Sequence, residues 1–296
     1  MKDILRSLTP SFVLEWNRAR KKQNRRIALD KKRKAGEVWT REKLTKQLIE
    51  AGIDPSKDLL VHSSLSAMGF VEGGPATVVQ ALLDALNEES TLLMPTSPVV
   101  TLQAEHHLEV FDVAHTPSRM GAITEIFRTA FAHARSAHPL EPVAAYGPKA
   151  SAYCTGHHTD ATPYGPNSPW RKHMDWNGQI LYIGTTLINS GTSLHAVEDA
   201  IGWKSFKFPV YLENSKTFKV TSSGRTVDVV SKVHNPQMSA QRECDGLIPL
   251  LEDKGALRQV TIGEAKALWV DAAQMKSILL EAYTSHGVTM YTTSGS

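Results

Sequence analysis

His195 and Glu198 stand three residues apart in the stretch TSLHAVEDAIG. That spacing puts both side chains on one face of a helix. A ring in the first turn of a helix feels the positive end of its dipole, which disfavours the charged imidazole. A carboxylate one turn on can orient the ring and stabilise the imidazolium after a proton has been taken. Those are the physical requirements of a general base, although an HxxE pair on a helix is more commonly a surface contact. Other histidines compete for attention. His106-His107 and His157-His158, with Asp160, look like metal pairs. Neighbours on an extended chain point to opposite sides, and no HExxH spacing supplies a third ligand, so both pairs are expected in surface loops. His138 precedes Pro139 and is held extended; its ring either faces a site or serves a turn. Cys154 and Cys244 form no CxxC pattern and have no base beside them, which disfavours a covalent acyl-enzyme.

The elements that must position the pair follow from periodicity. Residues 179–183, QILYI, predict a buried strand, 185–193 a polar loop, and 194–202 a helix with Thr192 or Ser193 at its N-cap. Upstream, Thr40 caps a helix over 41–51 that Gly52 ends. A strand at 58–61 runs into the loop HSSLSAMG (62–69). Gly73-Gly74-Pro75 then opens a helix with Val78, Val79, Leu82, Leu83 and Leu86 on its apolar face, and 91–94 is a further strand. Strand, polar loop, helix and strand in that order predict an α/β sheet with ligand loops at strand C-terminal ends. Neither GxGxxG nor GxxxxGK[ST] is present. Residues 111–128 read as a loop capped by Thr116 or Ser118 that runs into a helix, and 142–146 as a strand. The spans 207–212, 217–220 and 226–232 read as an antiparallel set, 239–253 and 272–284 as helices, and 257–262 as a strand.

Composition bounds the function. The 296 residues are 41% hydrophobic and 21% charged, as in an ordinary globular protein. No stretch approaches a membrane span, and no secretory leader is read at the start. The net charge of +3 conceals an asymmetry: residues 1–36 hold twelve Lys/Arg against three Asp/Glu, leaving 21 against 27 in the rest. The acidic body argues against nucleic acid as a partner. The first 36 residues are expected to form a basic helical arm, with 37–296 as the catalytic domain. The arm reads as a solvated appendage, an oligomerisation arm, or an amphipathic helix in peripheral contact with an anionic membrane surface. A cytoplasmic location follows, or one on the inner face of that membrane.

The pieces HSSLSAMG, TPSRMGAITEIFR, RSAHPLEPVAAYG, TPYGPNSPW, GQILYIG and TSLHAVE, with the helix after Gly73-Gly74, jointly resemble the aminoglycoside 3-N-acetyltransferase (antibiotic N-acetyltransferase) family. The resemblance covers residues 51 to 268. It implies an α/β fold, a mixed sheet flanked by helices, with the basic arm as an addition. It further implies acetyl-CoA as donor and an amine of an amino sugar as acceptor, and direct transfer between them requires no metal. Carried over residue by residue, His195 is the base, Glu198 its partner, and Thr192 the hydroxyl that protonates the thiolate or binds the oxyanion. Ser63, Ser64, Leu65, Arg135 and Ser136 are the CoA contacts. The loop Gly184-Thr185-Thr186-Leu187-Ile188-Asn189-Ser190 lacks the acidic residue that many resistance enzymes carry there. With the arm, this departure makes a nucleotide-linked amino sugar of surface-polysaccharide biosynthesis the expected acceptor. The alternatives are an aminoglycoside antibiotic, as in resistance, and a non-catalytic scaffold on the same fold.

Overall fold

The computed structural model describes residues 11–99 and 108–295. The expectations for His106-His107 and for the first ten residues lie outside them. Ten strands follow in chain order: β1 (Leu59–Ser63), β2 (Leu92–Pro95), β3 (Val110–Asp112), β4 (Ala134–Arg135), β5 (Val143–Tyr146), β6 (Gln179–Ile183), β7 (Lys216–Ser222), β8 (Arg225–Ser231), β9 (Leu257–Ile262) and β10 (Ala265–Asp271). Seven make one mixed sheet in the order β4-β5-β2-β1-β6-β10-β9, and β3-β7-β8 make a second. At the centre, β1 pairs parallel with both β2 and β6, while β10 runs antiparallel to β6.

The central strands are mostly apolar and buried at nearly every position because helices cover both faces. Alternation splits them. Leu59, Val61, Leu181 and Ile183 pack with Leu44, Leu48, Val79, Leu82 and Phe127 from the helices Arg41–Glu50, Pro75–Asp84 and Ala122–Ala130. Leu60, Ile180 and Tyr182 face the other way, against Trp170, Leu194, Val197 and Leu279 from Pro169–Asp175, Thr192–Ile201 and Ala272–His286. Since β1 and β6 are parallel neighbours, their C-terminal loops emerge side by side at one edge, tied by the Ser64 N–H donating to the Ile183 carbonyl at 2.8 Å.

Several expectations need correction. Residues 207–212 form no strand; only Tyr211 bridges to His234. The span 239–253 is broken by Gly246 and Pro249 into a 3-10 turn, Cys244–Leu247, and a short helix, Ile248–Asp253, with the proline in its first turn. The run AKALWVD forms β10, antiparallel to β6 and β9. The helix after residue 111 starts at Ala122 behind Gly121, so neither Thr116 nor Ser118 caps it; Ser118 Oγ accepts from the Met120 N–H instead. Thr40 does cap its helix, accepting from Lys43 N–H at 3.4 Å. The helix Ser11–Lys34 carries the basic arm, and Lys32 pairs with Glu264 of the main body. Trp16 on that helix is exposed. Among the described residues, no helix is long and apolar enough to cross a membrane.

Candidate active site

The loop after β6 turns sharply at Gly184, whose φ of +65° a side chain would strain and whose Cβ would collide with Ala67. The short helix Leu187–Ser190 follows, and Gly191 then occupies the N-cap of Thr192–Ile201. Thr192 and Ser193 are therefore the first helical residues rather than the cap, and His195 remains in the first turn. Its Nδ1 lies 2.6 Å from Glu198 Oε2, and both residues are only 3% exposed.

The other face of the ring's chemistry comes from Arg242, which no reading of the chain had singled out. Its Nη1 stands 2.8 Å from His195 Nε2, and its Nε donates to the Ser239 carbonyl. A guanidinium can only donate, so Nε2 is the acceptor and the ring proton sits on Nδ1, pointing at the Glu198 carboxylate. Burial, and then the Arg242 charge, hold His195 well below the ordinary imidazole range. Burial raises Glu198, while the Tyr291 hydroxyl and then Arg242 lower it, and the ring N–H donated to Oε2 favours its charged form. The result is a neutral base with its lone pair presented by a positive neighbour. Tyr164 stacks on the imidazole with ring centroids 5.1 Å apart, and His234 crosses it at 4.1 Å.

Two clefts meet beside this ring. One, of about 700 Å³, is lined by Ser63, Ser64, Leu65, Gly184 and Thr185, and Leu29 of the arm helix also reaches it. Ser63 Oγ is buried there and has no hydrogen-bond partner among the described residues. Gly74 and Gly121, at the N-terminal ends of two helices, also line it, which suits the phosphates of a nucleotide. The second cleft, of about 570 Å³, is lined by Thr192, His195, His234, Arg119, Glu141 and Arg242. Met120, Asn189 and Ser190 line both, so a group carried down the first cleft arrives next to one held in the second.

The predicted residues divide accordingly. Ser63, Ser64 and Leu65 share the first cleft, Thr192 and His195 line the second, and Glu198 stands behind the imidazole, out of that cleft. Arg135 and Ser136 join neither. The Arg135 guanidinium donates to the carbonyls of Thr96, Val113 and Thr116 and lies over Phe111, where burial pulls it down to about 9. Ser136 is fully buried, with its Oγ accepting from the Val143 N–H and lying 2.9 Å from His157 Nδ1. In this structure both hold main-chain groups, and Ser136 also meets His157. His157, expected on the surface, is buried, and His138 stacks on it at 4.5 Å while accepting from Leu140 N–H; both serve structure. The thiols sit outside the clefts, with burial raising Cys154 to about 12 and Cys244 to about 11. Ligand atoms of His195, Glu198 and His234 come within 4.8 Å of one another, a spacing that a small cation could bridge. Arg242 sets a permanent positive charge against one of those atoms, His195 Nε2, and Glu198 holds the other ring nitrogen.

The family model described as aminoglycoside 3-N-acetyltransferase matches residues 60–283. Aminoglycoside N(3)-acetyltransferase VII of Streptomyces paromomycinus is 29% identical over 208 residues, 64% of this chain and 71% of that protein. Among solved structures, the aminoglycoside acetyltransferase AAC(3)-IVa apoenzyme superposes with a TM-score of 0.67 at 26% identity, over 83% of this chain and 88% of that one. AAC-IIIb, solved as a binary complex with CoASH, shares the fold with a TM-score of 0.67 at 24% identity, over 81% and 94% of the two chains.

Proposed function

The chain belongs to the aminoglycoside 3-N-acetyltransferase family and is an acetyl-CoA-dependent N-acetyltransferase, and from that premise we propose that His195 is the base that lets an amino-sugar amine attack the thioester. The observation that carries this reading is the buried His195–Glu198 pair opening into one cleft where that cleft meets another. Acetyl-CoA lies along the Ser63–Leu65 turn with its thioester near Asn189 and Ser190. The amine enters beside His195 and takes over the Nε2 position that Arg242 fills. Its lone pair attacks the carbonyl carbon, the C–N bond forms, and the carbonyl electrons move onto oxygen. Nε2 takes the ammonium proton while Glu198 stabilises the imidazolium. Collapse of the intermediate breaks the C–S bond, and the proton passes to the departing thiolate. The Thr192 hydroxyl lines the same cleft and is the group assigned to the oxyanion or to that last proton transfer.

The relatives' aminoglycoside names favour an acceptor of that amino-sugar type over the surface-polysaccharide precursor that the basic arm suggested. Thiol release from acetyl-CoA, followed against a panel of amino sugars, tests the reading. Acceptor-dependent release with an N-acetylated product is expected. Binding of CoA without release for any amine in the panel would leave the fold without the proposed reaction.

A further inference from the structure

Among its described lining residues, the acceptor cleft carries more positive than negative charge. Two guanidinium groups line it, Arg119 and Arg242, with Glu141 as their one carboxylate counterpart among the described lining residues. Burial pushes the Glu141 carboxyl up to about 7, so it carries only part of a negative charge near neutral pH. Arg119 is exposed at the cleft wall, and its guanidinium has no hydrogen-bond or ion-pair partner among the described residues. Arg242 spends Nε on the Ser239 carbonyl and Nη1 on His195, with no partner for Nη2 among the same residues. Gly191 and Thr192, at the N-terminal end of the ten-residue helix Thr192–Ile201, add the positive end of a dipole to the same wall. An acceptor with several ammonium groups would meet like charge on these surfaces. An anion would meet the free guanidinium fork of Arg119 and the outer nitrogen of Arg242.

The geometry points to an acceptor that carries a phosphoryl group alongside its amine. It is an amino sugar in phosphorylated or nucleotide-linked form, with the anion held by Arg119 and by the outer nitrogen of Arg242. This rests on the transfer reading above but departs from the acceptor type that the relatives' names favour, on the strength of this cleft's own charge. It also gives Arg242 two positions: on His195 Nε2 before the acceptor arrives, and turned toward the acceptor's anion once the amine has taken that place.

The test uses the full chain loaded with CoA. Calorimetric titration with glucosamine, glucosamine 6-phosphate, a UDP-linked amino sugar, inorganic phosphate and gentamicin reads binding without requiring turnover. The phosphorylated sugars are expected to bind at least about tenfold more tightly than glucosamine and gentamicin, with Arg119→Glu removing that preference. Thiol release with the same amines should rank them in the same order. Tight binding of inorganic phosphate with no gain for a phosphorylated amino sugar would mark an adventitious anion site and overturn the proposal. So would gentamicin as the preferred ligand, or an Arg119→Glu variant whose sole defect is weaker binding of acetyl-CoA. If no amine is acetylated yet phosphorylated sugars bind through Arg119, the transfer reading fails while the anion site stands.

Discussion

A neutral imidazole whose lone pair faces a cleft can act as a base only if its other nitrogen is held. Glu198 does this at 2.6 Å from Nδ1. Replacing His195 by Asn keeps the size and one hydrogen bond but removes the proton acceptor, so turnover should fall roughly 100-fold or more while CoA binding stays within about twofold. Glu198→Gln retains a hydrogen-bond partner and removes the charge that stabilises the imidazolium. Its turnover should fall less, about tenfold. Without the carboxylate the ring holds its proton less well, so the acidic limb of the pH–rate curve should move to lower pH. The measurement is kcat/KM from pH 8 down to the lowest pH at which the fold persists. Normal turnover in the Asn variant would remove His195 from the chemistry, and an unmoved acidic limb in the Gln variant would reduce Glu198 to a packing role.

At the scale of elements, the parallel pairing of β1 with β6 brings the donor loop and the base-bearing loop to one edge. The contact between them is close: Gly184, at φ +65°, lies against Ala67 at the end of the Ser64 turn. Gly184→Ala should therefore do two things. It should cost about 1–3 kcal/mol of stability from backbone strain and collision. By pushing the Ser63–Leu65 wall outward it should also raise the KM for acetyl-CoA more than it changes kcat. A melting curve and donor-dependent kinetics separate the effects. Lost stability with an unchanged donor KM would mean that the turn does not hold the donor.

The whole molecule buries a group of uncharged histidines. His62, His157 and His173 lie in the interior, and burial lowers them to about 3, about 3 and about 4. In the unfolded chain each titrates near 6.5, so below that pH the unfolded state binds protons that the folded state refuses. Stability is then full above about pH 6.5 and falls with pH through the window down to the folded values. Each histidine contributes a slope of about 1.4 kcal/mol per pH unit, so the three together remove about 6 kcal/mol by pH 5. Urea unfolding at pH 7.5 and pH 5 should show a large drop in midpoint. A flat midpoint would show that these rings charge in place.

The pairing of His195 with Glu198 was legible in the sequence because it is local: three residues on a helix meet whatever surrounds them. So were the buried strands expected at 58–61, 91–94 and 179–183 and found at 59–63, 92–95 and 179–183, though His62 and Ser63 belong to the first strand and not to the loop after it. The donor turn could be placed for the same reason, following directly from the end of β1. Arg242 lies 47 positions from His195, on an irregular stretch with no period to read. The fate of Arg135 and Ser136 also turned on what surrounds them. An arginine beside a serine in a turn can reach a ligand or satisfy main-chain carbonyls, and the second sheet closing over Phe111 decided for the carbonyls. Sequence spacing set which groups could cooperate within one turn of a helix. Tertiary packing set the tautomer of the base, the sign of charge in the acceptor cleft, and the place where the two clefts meet. Each of those depends on groups brought together from distant parts of the chain.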